Sequence, residues 1–84
     1  MTLSVLIPAF NEQATITESV ERVLAQAMVS QIIIIDDGST DETREKIVLL
    51  AAQYQRIQVL THTINRGKGA AIRSAIPQLT QPIC

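Results

Sequence analysis

"IIIIDDGSTDET", Ile32 to Thr43, decides how this chain reads. A run of isoleucines without alternation is what a strand covered on both faces looks like. It passes directly into two adjacent carboxylates, Asp36 and Asp37. Two like charges side by side at a strand end meet repulsion and desolvation unless a ligand or a helix start uses them. Beyond Gly38, Ser39 and Glu42 have the spacing of a capping box, and Ile47, Leu50, Ala51 and Tyr54 mark the buried stripe of the helix it would open.

Working outward, "LSVLIP" is a short β-rich run. Pro8 cannot donate to a central ladder, so the strand is expected to end there. Ile16, Val20, Val23, Leu24 and Ala27 recur at helical spacing, with the N-cap at Asn11 or, with Glu18 completing a box, at Thr15. Downstream, "RIQVLTH" is a third strand and "NRGKG" a turn. Ala71, Ile72, Ala75, Ile76 and Leu79 indicate a third helix that Pro77 shortens.

The order is β-α-β-α-β-α, which predicts an α/β fold: a three-layer half-sheet of parallel strands, order 3-2-1, with helices on both faces. Such sheets place ligands beyond the carboxyl ends of their strands.

Composition sets the frame. A chain of 84 residues forms one small domain, which buries roughly 60–65% of the surface its unfolded form exposes. The chain is 46% apolar with a net charge of −1, which argues against disorder and gives no footprint for nucleic acid. The only cysteine is Cys84, so no internal disulfide forms and a reducing compartment is expected. "MTLSVLIPAF" lacks a basic leader region, and no apolar run approaches the roughly 20 residues of a membrane helix. The expected location is cytoplasmic, peripheral to a membrane in a complete protein.

Three segments meet at the strand ends: "PAFNE", "DDGSTD" and "NRGKG". Together they offer an aromatic face, carboxylates, backbone N–H groups and cations, which is the mixture a nucleotide needs. Phe10 alone would read as a core filler, but its place between Pro8 and a helix start assigns it to the site, and Glu12 beside it reads either as a solvated first-turn residue or as part of the site. One of Asp36 and Asp37 is expected to cap or face the N-terminus of the following helix while the other is free to accept from a ligand, because successive strand residues point to opposite faces. Which does which is left open. Asp41 reads as a helix-dipole residue, Tyr54 as core and His62 as a structural or exposed residue without metal partners. Arg66 and Lys68 can reach a pyrophosphate, with Gly67 and Gly69 allowing close backbone approach. The pattern of a P-loop is absent.

With these segments in hand, the chain resembles the amino-terminal portion of a family 2 glycosyltransferase of GT-A fold. The resemblance rests on "LSVLIPAFNE", "IIIIDDGSTDET" and "NRGKGAAIRSAI", which cover nearly the whole chain. The last is similar to the branch of dolichyl-phosphate mannosyltransferases and polyprenyl-phosphate glycosyltransferases. The resemblance implies the nucleotide-binding half of a Rossmann-like domain that takes a UDP-sugar or GDP-sugar. Pro8, Ala9, Phe10, Glu12, Asp36 and Asp37 would hold base and ribose, and Lys68 would lie near the nucleotide.

In the family a further strand ends in an Asp-x-Asp motif that binds a divalent metal. "TQPIC" resembles the start of that strand, and no Asp-x-Asp occurs in these 84 residues. Residues 1–84 are therefore expected to be a partial domain, binding no metal alone although Mg or Mn is expected for the complete one. Without the metal motif and a catalytic base it is expected to be inactive by itself. The alternatives are a non-catalytic nucleotide-diphosphate module and a fragment that self-associates through an open sheet edge.

Overall fold

The computed structural model describes residues 2–82. Strand β1 (Leu3–Ala9) is followed by α1 (Ile16–Leu24), β2 (Val29–Asp37), α2 (Thr43–Gln53), β3 (Ile57–His62), α3 (Lys68–Ala75) and a 3-10 turn at Ile76–Gln78. The strands form one parallel sheet with β2 in the centre, in the predicted order.

The isoleucine run builds the core on both sides of β2. Ile32 and Ile34 pack with Ile16 and Val20 of α1 and with Ile47 and Leu50 of α2. Ile33 and Ile35 turn the other way, onto Ala71 and Ala75 of α3. All four isoleucines are fully buried. Period-two alternation thus survives in direction although both directions are apolar.

Several local expectations are corrected. β1 continues through Pro8 to Ala9. Leu3 N–H donates to Met28 across the β2 side, whereas Ser4 N–H donates outward to Pro82. Amide direction alternates along a strand, so Pro8 shares the outward parity of Ser4, and its missing N–H removes no bond to β2. The cap of α1 falls at Thr15, one of the two expected positions, but without a side-chain capping bond.

The Ser39–Glu42 box does not form. α2 starts at Thr43, whose amide donates to Asp41 Oδ1 at 2.9 Å, while Ser39 Oγ accepts the Asn11 amide at 3.1 Å. Tyr54 packs against the core as the extended C-cap of α2 rather than within its helical stripe. Pro77 lies in the 3-10 turn after α3, as its effect on a helix predicts.

A buried polar hub ties the segment after α3 to the sheet. Gln31 Oε1 accepts Ser4 Oγ–H at 2.6 Å and the Thr80 amide at 3.0 Å, and Gln31 Nε2 donates to the Gln78 carbonyl at 2.7 Å and to Gln58 Oε1. This leads residues 80–82 to the outer side of β1, where Pro82 O receives the Ser4 amide at 2.8 Å. The edge expected to be bare therefore carries a bond at Ser4. Ile83 and Cys84, the last residues of "TQPIC", lie outside the described residues. No described helix is long and apolar enough to cross a membrane.

Candidate functional site

At the carboxyl ends of the strands lies an open cleft of about 220 Å³, lined by Pro8, Ala9, Phe10, Glu12, Asp37, Asn65, Gly67 and Lys68. A pocket enclosing a whole ligand usually measures roughly 300–1,000 Å³. The cleft is suited to part of a larger molecule. Of the residues singled out in the sequence it brings together Pro8, Ala9, Phe10, Glu12, Asp37 and Lys68. Asp36 and Arg66 are not in its lining.

Strand alternation separates the two aspartates. Asp36 points with Ile32 and Ile34 toward the α2 side, fully buried, where Oδ2 accepts Arg44 Nε–H at 2.6 Å and Oδ1 accepts the Ser39 amide at 3.1 Å. Asp37 points with Ile33 and Ile35 toward the α3 side. Its Oδ1 accepts from the Arg66 amide and from His62 Nδ1, and its Oδ2 accepts the Gly67 amide, each at 2.9 Å. So Asp36 engages the helix after its own strand through Arg44. Asp37 takes the amides that open α3.

The Arg66 amide does most to hold the Asp37 carboxyl below its ordinary value, with the His62 bond next; burial opposes them, and the Gly67 amide and the charge of His62 assist. Asp37 is therefore ionised at neutral pH. At Asp41 burial pushes the carboxyl up, but bonds from the Thr43 hydroxyl and amide and from the Gln13 amide outweigh it and lower it.

Glycine geometry brings the third wall of the cleft close. Gly38 has φ +78°, and a Cβ there would run into backbone atoms of Ile64 and Asn65. The loop carrying Asn65 can pass over β2 only because residue 38 has no side chain. Gly67, the N-cap of α3, adopts φ 90° and ψ 158° and places Lys68 at the first helical position with an exposed side chain.

The wall formed by residues 10–13 is laced to the loop before α2. Asn11, at φ 50°, accepts the Thr40 amide on Oδ1 at 2.8 Å. Thr43 Oγ1 accepts the Glu12 amide at 2.8 Å, and Gln13 Oε1 accepts the Glu42 amide at 2.8 Å. "GSTDET" thus acts from behind, fixing the backbone that presents Phe10 and Glu12. Phe10 is 42% exposed and lines the cleft.

Sequence reasoning gave His62 no part and did not select Asn65. His62 is buried and structural, with Nε2 2.9 Å from Ser74 Oγ as well as Nδ1 on Asp37. Aligning the carboxyl ends of β2 and β3 would have flagged it, since Asp37 and His62 are register partners. Asn65 carried no such signal, because its place depends on how the loop crosses Gly38.

No grouping of three His, Cys, Asp or Glu side chains able to hold an ion occurs among the described residues. Both oxygens of Asp37 already face N–H donors.

Residues 4–84 match the family model described as glycosyl transferase family 2. Over 81 residues the chain is 32% identical to dolichyl-phosphate beta-glucosyltransferase ALG5A of Trichomonas vaginalis, covering 86% of this chain and 25% of that protein. It is 36% identical over 75 residues to glucosyl-3-phosphoglycerate synthase of Mycobacterium tuberculosis, covering 84% and 23%. The chain thus spans about a quarter of the length of the curated relatives it matches. Among solved structures, the mannosyltransferase PcManGT from Pyrobaculum calidifontis, in complex with GDP-Man and Mn2+, superposes with a TM-score of 0.83 at 24% identity, covering 93% of this chain and 24% of that one. That likeness is one of fold.

Proposed function

The chain belongs to glycosyl transferase family 2, and from that premise we propose that the cleft at the strand ends is the nucleoside-diphosphate part of a sugar-donor site. The observation that carries this reading is the convergence in one cleft of Phe10, Glu12, Asp37 and Lys68 from separate segments. The exposed Phe10 ring offers a face for a base. In this reading Asp37, ionised and fixed, accepts from the ligand, and the Glu12 carboxylate in the same lining accepts from ribose hydroxyls. The Lys68 ammonium stands at the first turn of α3, where charge and helix dipole both favour a diphosphate.

Sugar transfer also needs the leaving diphosphate neutralised and an acceptor activated. The 84 residues contain no Asp-x-Asp. In this reading they bind and orient the donor, and the metal ligands and base of a complete enzyme come from other residues. The dolichyl-phosphate relative favours a polyprenyl phosphate as the acceptor of such an enzyme, which would then work at a membrane surface.

The test is calorimetric titration of the chain with UDP and with GDP, repeated on Lys68→Ala, whose exposed side chain can be removed without disturbing the core. Saturable binding of at least one nucleotide, weakened about tenfold by Lys68→Ala, is expected. A folded chain that binds neither overturns the reading.

A further inference from the structure

Ser74 lies on α3, outside the lining of the cleft, and is exposed. Its Oγ stands 2.9 Å from Nε2 of His62, whose Nδ1 stands 2.9 Å from Oδ1 of Asp37. The side chains come from α3 and from the ends of β3 and β2. They grade from a hydroxyl open to solvent, through an imidazole at 9% exposure, to a carboxylate at 3%.

The amides of Arg66 and Gly67 keep Asp37 ionised, so the proton between Asp37 and His62 belongs to Nδ1. Neutral imidazole then carries its lone pair at Nε2, against the Ser74 hydroxyl. That hydroxyl has one proton and two acceptors, Nε2 at 2.9 Å and the Ala70 carbonyl at 3.1 Å. The bonds that make His62 structural thus also fix its tautomer and set its basic nitrogen beside a hydroxyl that solvent reaches.

We infer that Ser74 is an activated nucleophile that is acylated by activated carboxylic esters, with His62 as its general base and Asp37 positioning His62. Nucleophile, base and orienting carboxylate in hydrogen-bonded sequence are what acyl transfer to serine requires, and they are recognised by geometry and role rather than by fold. In the step, Ser74 Oγ bonds to the carbonyl carbon while its proton passes to His62 Nε2. The ester C–O bond then breaks, the leaving oxygen takes the electron pair and the proton from Nε2, and the acyl group remains on Ser74. Ser74 sits in the last turn of α3, where backbone N–H groups are bonded to carbonyls one turn back and do not hold the oxyanion of a second attack. The acyl group therefore stays, and Ser74 is a site of modification rather than of turnover.

The chain is treated with p-nitrophenyl acetate, and acetylated serines are located by mass spectrometry. His62 is the only histidine of the chain, so exposed Ser19 on α1 has no imidazole partner and serves as the internal reference. Ser74 is expected to be acetylated about a hundredfold faster than Ser19 or more, with a burst of p-nitrophenol that Ser74→Ala reduces, and the preference is expected to vanish in urea. Imidazole nitrogen signals at mildly alkaline pH should place the His62 proton on Nδ1. No acetylation of Ser74, equal rates at Ser74 and Ser19, a preference that persists in urea, or a proton on Nε2 overturns the inference.

Discussion

Nδ1 of His62 stands 2.9 Å from Oδ1 of Asp37, and the two are register partners at the ends of adjacent parallel strands. The pair joins β2 to β3 where the sheet meets its cleft. With the Arg66 and Gly67 amides it makes the Asp37 carboxylate part of the fold as well as of the site.

That coupling sets a pH dependence. The folded-state value of Asp37 lies below its ordinary 3.8, and Asp41 is lowered as well. A depressed carboxyl contributes stability that is fully present above the unfolded value and is lost as pH falls through the folded one. Urea midpoints are therefore expected to fall as pH drops below 3.8, less steeply in Asp37→Asn, which is less stable at neutral pH. Identical acid slopes in the two proteins would contradict the role given to Asp37.

The glycines before and after the third wall should differ in cost. Gly67→Ala meets no atom within 4 Å and bears backbone strain alone, about 1–3 kcal/mol. Gly38→Ala bears strain at φ +78° and also collides with the Ile64 and Asn65 backbone. Chemical denaturation should show Gly38→Ala to be the more damaging, with Asn65 displaced from the cleft.

At the opposite end of the sheet, Gln31→Ala would leave the fully buried Ser4 hydroxyl without its acceptor and free residues 78–80. A loss of about 2–4 kcal/mol is expected. Hydrogen exchange should quicken at the Ser4 and Thr80 amides.

Ile34 packs with α1 and α2 at zero exposure, whereas Leu49 is 64% exposed on α2. Ile34→Ala should cost about 2–5 kcal/mol. Leu49→Ala should change stability by about 0.5 kcal/mol or less. Equal costs would place α2 in a different rotation about its axis.

The sequence carried the architecture because the isoleucine run and the helical stripes each encode burial locally. Ile32 to Ile35 announce a covered strand whatever lies above and below it, and the segment order then leaves few topologies. The choice between Asp36 and Asp37 was not legible. It depended on α3 lying on one face of the sheet and α2 on the other, which no local pattern states. Ser39 looked like a helix cap and became instead an acceptor for Asn11, because the two loops compete for the same hydroxyl. Pro8 looked terminal because its parity relative to β2 is a tertiary fact.

Backbone amide shifts during a UDP titration test most directly whether the cleft at the strand ends receives a nucleoside diphosphate. Saturable shifts are expected at Ala9, Phe10, Gly67 and Lys68, with none at Thr17, Leu49 or Gln53, which line a groove between α1 and α2. Saturable shifts confined to that second groove, or no shifts at either place in a folded chain, would contradict it.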